Sequence, residues 1–166
     1  MLYRYSVSLT PPAPAEPVLR QGHVYSEFTL DLPPAWQPVA TDEDNTLSFY
    51  AEAEDAAIVV SVDFIDTPAD QLQALAEHAL ARRIAALGVA SSGPATMLQQ
   101  QVQPHANGAA LELSFAAEVP GEAVHLYLGY VSPRKVMHFA MVCPPERAAA
   151  VALFNATVGH FKPRLP

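Results

Sequence analysis

The 166-residue chain can bury a core of its own, because a chain of this size removes roughly 70% of its unfolded surface from water. Its residues are 51% hydrophobic and 16% charged, which excludes a disordered protein, and no apolar run approaches the ~20 residues of a membrane span. A net charge of −8 with nine Lys and Arg residues excludes a phosphate-backbone contact, so nucleic acid is not an expected partner. We expect one domain over residues 1–166.

Residues 1–22 predict a strand followed by a proline-rich arm. Apolar and polar residues alternate over residues 3–9, which is the period of a half-buried strand. The prolines of residues 10–17 favour an extended segment that serves as a surface connection. The alternative is that this segment is a proline-rich ligand for another protein. Residues 1–6 lack the basic and apolar regions of a secretion signal, which predicts a cytoplasmic protein.

The next segment predicts antiparallel strands. Residues 24–32 alternate as one strand, which Pro33 and Pro34 end, and we expect Trp36 to fold back over the sheet. Residues 47–51 and 58–64 then form a hairpin. Pairing residue 53 with residue 56 places the large apolar side chains of this hairpin on one face.

A helix is predicted over residues 68–87. Thr67 is the expected N-cap, Pro68 suits the first turn, and Gly88 suits the left-handed position that closes a helix. Its apolar stripe consists of Leu72, Leu75, Ala76, Ala79, Leu80, Ile84 and Leu87.

A meander follows over residues 98–102, 111–115, 126–130 and 137–141, with turn residues between the strands. Four-residue loops at 120–123 and 132–135 would pair residue 113 with 130, 115 with 128, 128 with 139 and 130 with 137. This register puts every large apolar side chain of the last three strands on one face. It also puts Glu118 directly opposite His125 on the other face.

The chain closes with a helix that begins near residues 144–146. Its apolar residues Val151, Phe154, Val158 and Phe161 are spaced three, four and three apart, which is the stripe of a helix that covers a sheet. The predicted elements describe an α+β fold in which an antiparallel sheet is flanked by two main helices.

Few residues suggest chemistry. His125 and His138 share a face, but their rings start ~13 Å apart, so they cannot share a metal ion. Glu118 beside His125 is either a general base pair or a stabilising cross-strand contact. Cys143 is the sole cysteine, and the alternation along its strand places the thiol on the buried side. Its position before a helix suggests the alternative of a reactive thiol. No phosphate, dinucleotide or calcium loop is present, and we expect no catalytic residue, cofactor or metal.

Glutamines 99, 100, 101 and 103 form a polar strand unlike its neighbours. This pattern indicates either a solvent-facing edge or an edge that pairs with a peptide.

Two stretches resemble the PsbP-like superfamily. Phe28–Trp36 is similar to that family's F-x-L-x-x-P-x-x-W opening, and Phe154–Pro163 is similar to its closing hydrophobic-x-x-S-F-x-P. With the long helix and the meander, the resemblance covers about residues 23–163. It implies an α/β/α sandwich that binds proteins without catalysis, and the Eag-type chaperones of type VI secretion effectors are the branch that we expect.

We therefore expect a non-enzymatic binding module, an adaptor or chaperone in a bacterial cytoplasm. Its partner would be another protein, such as a secreted effector, or a second copy of the chain. The expected partner-binding residues are Gln99, Gln101, Val102, Glu118, His125, Tyr127 and His138. The alternative is a small-molecule-binding or hydrolytic protein that uses the sheet face with Glu118, His125 and His138.

Overall fold

The structure is a computed structural model, and it describes residues 21–24, 26–90, 93–106, 108 and 110–164. The strand predicted over residues 3–9 and the proline-rich residues 10–17 lie outside these ranges. The strands are β1 (Gln21–Val24), β2 (Phe28–Leu32), β3 (Trp36–Val39), β4 (Thr46–Ala51), β5 (Ala56–Phe64), β6 (Thr96–Pro104), β7 (Leu111–Val119), β8 (Ala123–Val131), β9 (Lys135–Cys143) and β10 (Phe161–Pro163). The helices are α1 (Leu72–Ala90) and α2 (Arg147–Val158).

The strands form two antiparallel sheets. The main sheet has seven strands in the order β3-β4-β5-β9-β8-β7-β6, and the smaller sheet has the order β1-β2-β10. Helix α1 packs on one face of the main sheet, while α2 and the small sheet pack on the other. We call these the α1 face and the α2 face. The predicted α+β fold, an antiparallel sheet between two helices, is confirmed.

Each face of the main sheet has its own apolar core. On the α2 face, side chains of the main sheet pack against the small sheet and α2, among them Leu30, Trp36, Phe49, Ile58, Val60, Leu126, Met137, Phe139, Met141, Phe154 and Phe161. On the α1 face, the stripe predicted for α1 packs against Leu113, Phe115, Tyr127, Val131 and Val136. Trp36 is part of the α2-face core and begins β3.

The strand predicted over residues 24–32 is in fact a hairpin. Strand β1 ends at Val24, a bend follows at residues 26 and 27, and β2 begins at Phe28. His23 pairs with Leu30 across the two strands. The prediction was wrong because the apolar alternation continues through the bend.

Both predicted ends of α1 need correction. The helix is preceded by a 3-10 turn whose N-cap position is Pro68, without a side-chain cap. Thr67 instead donates its backbone N–H to Pro133 O, which ties it to the loop between β8 and β9. At the other end α1 continues through Gly88 to Ala90, and Gly88 does not adopt a positive φ.

Loop lengths decide which register predictions hold. In the hairpin of β4 and β5, Ala51 pairs with Ala56, so the register differs from the predicted one. The shift is an even number of residues, and the large apolar side chains therefore stay on the predicted face. The β8–β9 pairing of Leu128 with Phe139 is confirmed.

The predicted register between β7 and β8 is wrong by one residue. Leu113 pairs with Gly129 and Phe115 with Tyr127, because the loop contains three residues around Gly121, whose φ is +75°. A slip of one residue exchanges the faces of a strand. Leu113 and Phe115 therefore lie on the α1 face, opposite to the face of Leu126, and the large apolar residues do not share one face.

Helix α2 ends before the predicted stripe does. It ends at Val158, and Phe161 lies in β10, where it pairs with Leu30 of β2. A buried ion pair between Lys135 of β9 and Glu27 also joins the small sheet to the main sheet.

Candidate functional site

Three polar side chains form a hydrogen-bonded chain beneath α1. Tyr127 Oη lies 2.6 Å from His138 Nδ1, and His138 Nε2 lies 3.0 Å from Asp63 Oδ2. Tyr127 is 1% exposed and His138 is 6% exposed, whereas the Asp63 side chain is largely in solvent. The chain thus connects a buried phenol on β8 to a surface carboxylate on β5.

The strand register explains this arrangement. His138 lies directly opposite Gly129 of β8 and directly opposite Ser61 of β5, the residue two before Asp63. The Tyr127 ring extends along its own strand over Gly129, and a Cβ atom at position 129 would lie 2.3 Å from Tyr127 Oη. Gly129 therefore provides the space in which Tyr127 reaches His138.

Burial and hydrogen bonding set the protonation states. Burial raises the pKa of Tyr127, and burial lowers the pKa of His138, so both side chains are neutral near pH 7. The hydrogen bond from His138 lowers the pKa of Asp63, which is ionised. Tyr127 accordingly donates to Nδ1, and Nε2–H of His138 donates to the carboxylate. Both imidazole nitrogens are occupied, so neither is free to accept a proton from a substrate.

Two further side chains enclose Tyr127. Its ring stacks on Phe115 with a centroid separation of 5.2 Å and an interplanar angle of 19°. The guanidinium carbon of Arg83 lies 5.1 Å from the centre of the Tyr127 ring, a cation–π distance. Arg83 thus ties α1 to the hydrogen-bonded chain.

Two grooves flank α1 on the α1 face. The one beside β5 and β9 has a volume of about 440 Å³, and its lining combines apolar side chains with the charged or polar Asp63, His78, Arg82, Arg83 and His138. We call it the arginine groove. The one beside β6 has a volume of about 540 Å³ and is lined by Leu80, Ala81, Ile84, Ala85 and Val102 together with the polar Glu77, Gln100 and Gln101. We call it the β6 groove.

Three of the predicted partner-binding residues lie on an edge strand. Gln99, Gln101 and Val102 belong to β6, which pairs with β7 alone among the described strands. Val102 lies opposite Leu113 and faces the β6 groove, while Gln99 donates from Nε2 to Ser114 Oγ at 3.1 Å on the α2 face. The glutamine strand is therefore an edge of the sheet that the described strands form, and its role in binding stays a prediction.

The predicted pair of Glu118 and His125 does not form. Ala117 lies opposite His125, and Glu118 lies opposite Val124 on the α2 face, because β7 is shifted by one residue. Glu118 instead accepts a hydrogen bond from Arg147 Nε at 3.0 Å. The constellation of Glu118, His125 and His138 is thus split between two faces of the sheet, and it cannot act as one hydrolytic site.

His125 and His138 share the α1 face as predicted, but their environments differ. His125 is half-buried, and this burial lowers the pKa of its imidazole. It pairs with Val142, beyond the reach of α1, whereas Tyr127 and His138 lie beneath the helix. A partner can therefore contact His125 directly, whereas Tyr127 is buried beneath the helix and His138 is reached through the arginine groove that it lines.

An exposed apolar surface occupies the half of the α1 face that α1 leaves open. Its members are Val39, Tyr50, Val59 and Val142, which are 48%, 38%, 36% and 38% exposed. They lie on β3, β4, β5 and β9, which are adjacent strands, and pairing places all four on the α1 face. We call this surface the valine–tyrosine strip. The large apolar side chains exposed in the described part of the chain all belong to it.

Cys143 has the environment of an inert thiol. It is buried on the α2 face, and burial raises its pKa to about 11. The alternative of a reactive cysteine lacks the lowered pKa that it requires.

Neither a metal site nor a membrane helix is found in the ranges described above. No group of three or more His, Cys, Asp or Glu side chains there is close enough to hold a metal ion. No helix there combines the length and the apolar character needed to cross a membrane.

Sequence reasoning missed Asp63, Arg83 and the strip. Asp63 and His138 lie 75 residues apart, so only the strand register joins them. The strip was missed because Val59 and Val142 alternate with buried residues on strands that are apolar on both sides. The sequence contained one signal for the strip. Where apolar and polar residues do not alternate along a strand, both faces of that strand contact apolar groups.

Comparisons with known proteins bear on the fold. No family model matches the chain, and no curated protein matches it. The solution structure of cyanobacterial PsbP (CyanoP) from Synechocystis sp. PCC 6803 is similar, with a TM-score of 0.69 over 93% of this chain and 98% of that one. The two sequences are 18% identical, so this likeness concerns the fold. The resemblance seen in the sequence is confirmed at that level: the chain has a PsbP-like fold.

Proposed function

We propose that the chain is a non-enzymatic protein-binding module that holds an apolar helical segment of a partner on the valine–tyrosine strip. The partner that we propose is a secreted effector, for which the chain acts as an adaptor or chaperone in a bacterial cytoplasm. The PsbP-like fold and the sequence resemblance to effector chaperones support this proposal. The observation that carries it is the collection of exposed apolar side chains on one half of one sheet face.

The dimensions of the sheet favour a helix as the bound segment. Seven strands spaced ~4.8 Å apart make a sheet about 29 Å wide, whereas a helix with its side chains is about 10 Å across. Helix α1 packs on β7 and β8, on one half of the face. The other half, from β9 to β3, has room for a second helix.

Charges beside the strip indicate which helix fits. Tyr50 Oη donates to Asp55 Oδ1 at 2.6 Å, and Glu52 and Glu54 belong to the same loop. An open depression of about 640 Å³ adjoins this loop and is lined by Gln37, Tyr50 and Glu52. A partner helix with an apolar face and basic residues at one flank would complement both features.

Co-purification with strip variants tests the proposal. The tagged chain is expressed in its native host, and proteins that co-purify with it are compared with those recovered by Val59→Glu and Val142→Glu. A carboxylate at either position places a charge in the proposed apolar contact, so we expect the partner to be lost. Ala152→Glu, at an exposed position of α2 on the other face, is the matched control and should retain the partner.

Folding of each variant is checked by thermal denaturation. Both valines are exposed, so their substitution should change the free energy of unfolding by no more than about 1 kcal/mol. Recovery of the same proteins by the strip variants and by the wild type would contradict the proposal. So would the failure to recover any protein partner.

The β6 edge is a second surface for the same partner, and Gln99, Gln101 and Val102 would contribute to it. An exposed edge can pair with an extended segment, and the β6 groove lies beside it. Gln101→Pro and Val102→Pro are compared, because neighbouring residues of a strand direct their N–H groups to opposite sides. The substitution that removes an N–H pointing away from β7 should leave the free energy of unfolding largely unchanged, and it should weaken binding of the partner if the β6 edge is used. Equal binding of the partner by both variants would contradict the use of this edge.

A further inference from the structure

The arginine groove has a charge that is unusual for this chain. The protein has a net charge of −8 and only nine Lys and Arg residues, yet Arg82 and Arg83 both line one cavity of about 440 Å³. His78 precedes Arg82 by one helical turn and lines the same cavity. Positive charge is therefore concentrated where the cavity opens.

Neither guanidinium lies within ion-pair distance of a carboxylate among the described residues, although both are near enough to Asp63 to help lower the pKa of its carboxyl. Lys135 and Arg147 do have such partners, Glu27 and Glu118. Arg82 and Arg83 form no comparable ion pair. Asp63 is the carboxylate in the groove, and its Oδ2 atom accepts the hydrogen bond from His138 instead.

The position of Arg83 suits the binding of an oxyanion. Its guanidinium rests over the Tyr127 ring, and the residue is half-buried. A guanidinium that rests on an aromatic face keeps the N–H donors of its edge free, and these donors match a carboxylate or phosphate in a bidentate geometry. The cation–π contact with Tyr127, whose ring stacks on Phe115, positions the guanidinium beside the groove.

Asp63 adds a second requirement. Its Oδ2 atom is used by His138, while its Oδ1 atom has no partner among the described residues. A purely anionic compound would meet repulsion from this carboxylate. A compound that also has a hydroxyl or ammonium group would donate a hydrogen bond to it.

We propose that the arginine groove binds a small organic anion, with its carboxylate or phosphate group on Arg82 and Arg83 and a hydroxyl or ammonium donor on Asp63. The site shares no residue with the valine–tyrosine strip or with β6, so its binding of a small anion is tested without a partner protein. His138 joins it to Tyr127, so that a bound ligand would perturb the whole hydrogen-bonded chain.

NMR titration of the full chain at low ionic strength tests this proposal. The probes are inorganic phosphate, acetate and glycolate, where glycolate has the hydroxyl that acetate lacks. We expect saturable shifts of the Arg83 and His138 side-chain signals, with glycolate bound more tightly than acetate. In Asp63→Asn the preference for glycolate over acetate should shrink, because the acceptor for the hydroxyl is weakened.

Arginine variants identify the site. Arg82→Gln should weaken binding of glycolate and phosphate about tenfold, since a charge-assisted contact is lost. Arg164→Gln makes the same change at an exposed arginine outside the groove and should leave binding unchanged. Arg82 is exposed and has no stacking contact, so its substitution tests binding without unfolding the chain. Shifts that rise linearly without saturation, or equal weakening in both variants, would overturn the proposal.

Discussion

Gly129→Ala tests the packing of the hydrogen-bonded chain most sharply. The new Cβ would lie 2.3 Å from Tyr127 Oη and 2.8 Å from Tyr127 Cζ, so the ring must move. Phe115 and Arg83 both contact the ring, so it cannot move without losing contacts. Overpacking of this kind costs about 1–3 kcal/mol, and the broken hydrogen bond to buried His138 costs about 1–3 kcal/mol more. We expect Gly129→Ala to lower the free energy of unfolding by about 2–6 kcal/mol.

Urea denaturation followed by Trp36 fluorescence measures this loss, because Trp36 is buried in the core and becomes exposed on unfolding. With a urea m-value of about 2 kcal/mol/M, the midpoint should fall by about 1–3 M. Gly129→Ala is then repeated in a Tyr127→Phe background, where the nearest clashing atom is absent. The substitution should cost less there. Equal costs in the two backgrounds, or a loss below about 0.5 kcal/mol in the wild type, would refute the account.

Three further predictions concern other parts of the molecule. The free energy of unfolding should decrease as the pH falls below about 6.5, by up to about 1.4 kcal/mol per pH unit for each buried histidine. In the folded chain, burial lowers the pKa values of His138 and His125, so these side chains stay neutral at a pH where the same histidines of the unfolded chain bind protons. Proton binding therefore favours the unfolded state as the pH falls. His138→Asn should make this decrease less steep, and an unchanged slope would contradict it. Cys143 should react slowly with a thiol reagent in the native chain and fully in denaturant, since burial raises its pKa to about 11; rapid native reaction would contradict this. A double-mutant cycle of Glu118→Ala and Arg147→Ala should give a coupling below about 1 kcal/mol, because this ion pair is at the surface, and a coupling above about 2 kcal/mol would contradict it.

The sequence predicts most elements of the fold because local patterns encode them. The α1 stripe at residues 72–87 has the 3.6-residue period of a helix, and Pro33 with Pro34 ends β2. The β8–β9 register follows from a four-residue loop, which the sequence indicates. These features depend on residues that are close together in the chain.

The candidate site could not be predicted in the same way. In β7 the apolar residues Leu113 and Phe115 fit either face of a sheet that is buried on both sides, so hydrophobicity does not select the register. The loop at Gly121 decides it, and a three-residue loop differs from a four-residue loop only in backbone geometry. That single residue separates Glu118 from His125, whereas the contact of His138 with Asp63 depends on the pairing of β5 with β9.

The most direct test of the proposed function is photo-crosslinking from position 142. A photoreactive residue replaces Val142 at the centre of the uncovered face, the chain is irradiated in its native host, and the adduct is mapped by mass spectrometry. We predict one adduct, in an apolar helical segment of a partner protein, and its absence when the same group replaces Ala152 on the opposite face. An adduct within residues 1–20 of the same chain, with a second copy alone, or equally with many proteins would contradict the account.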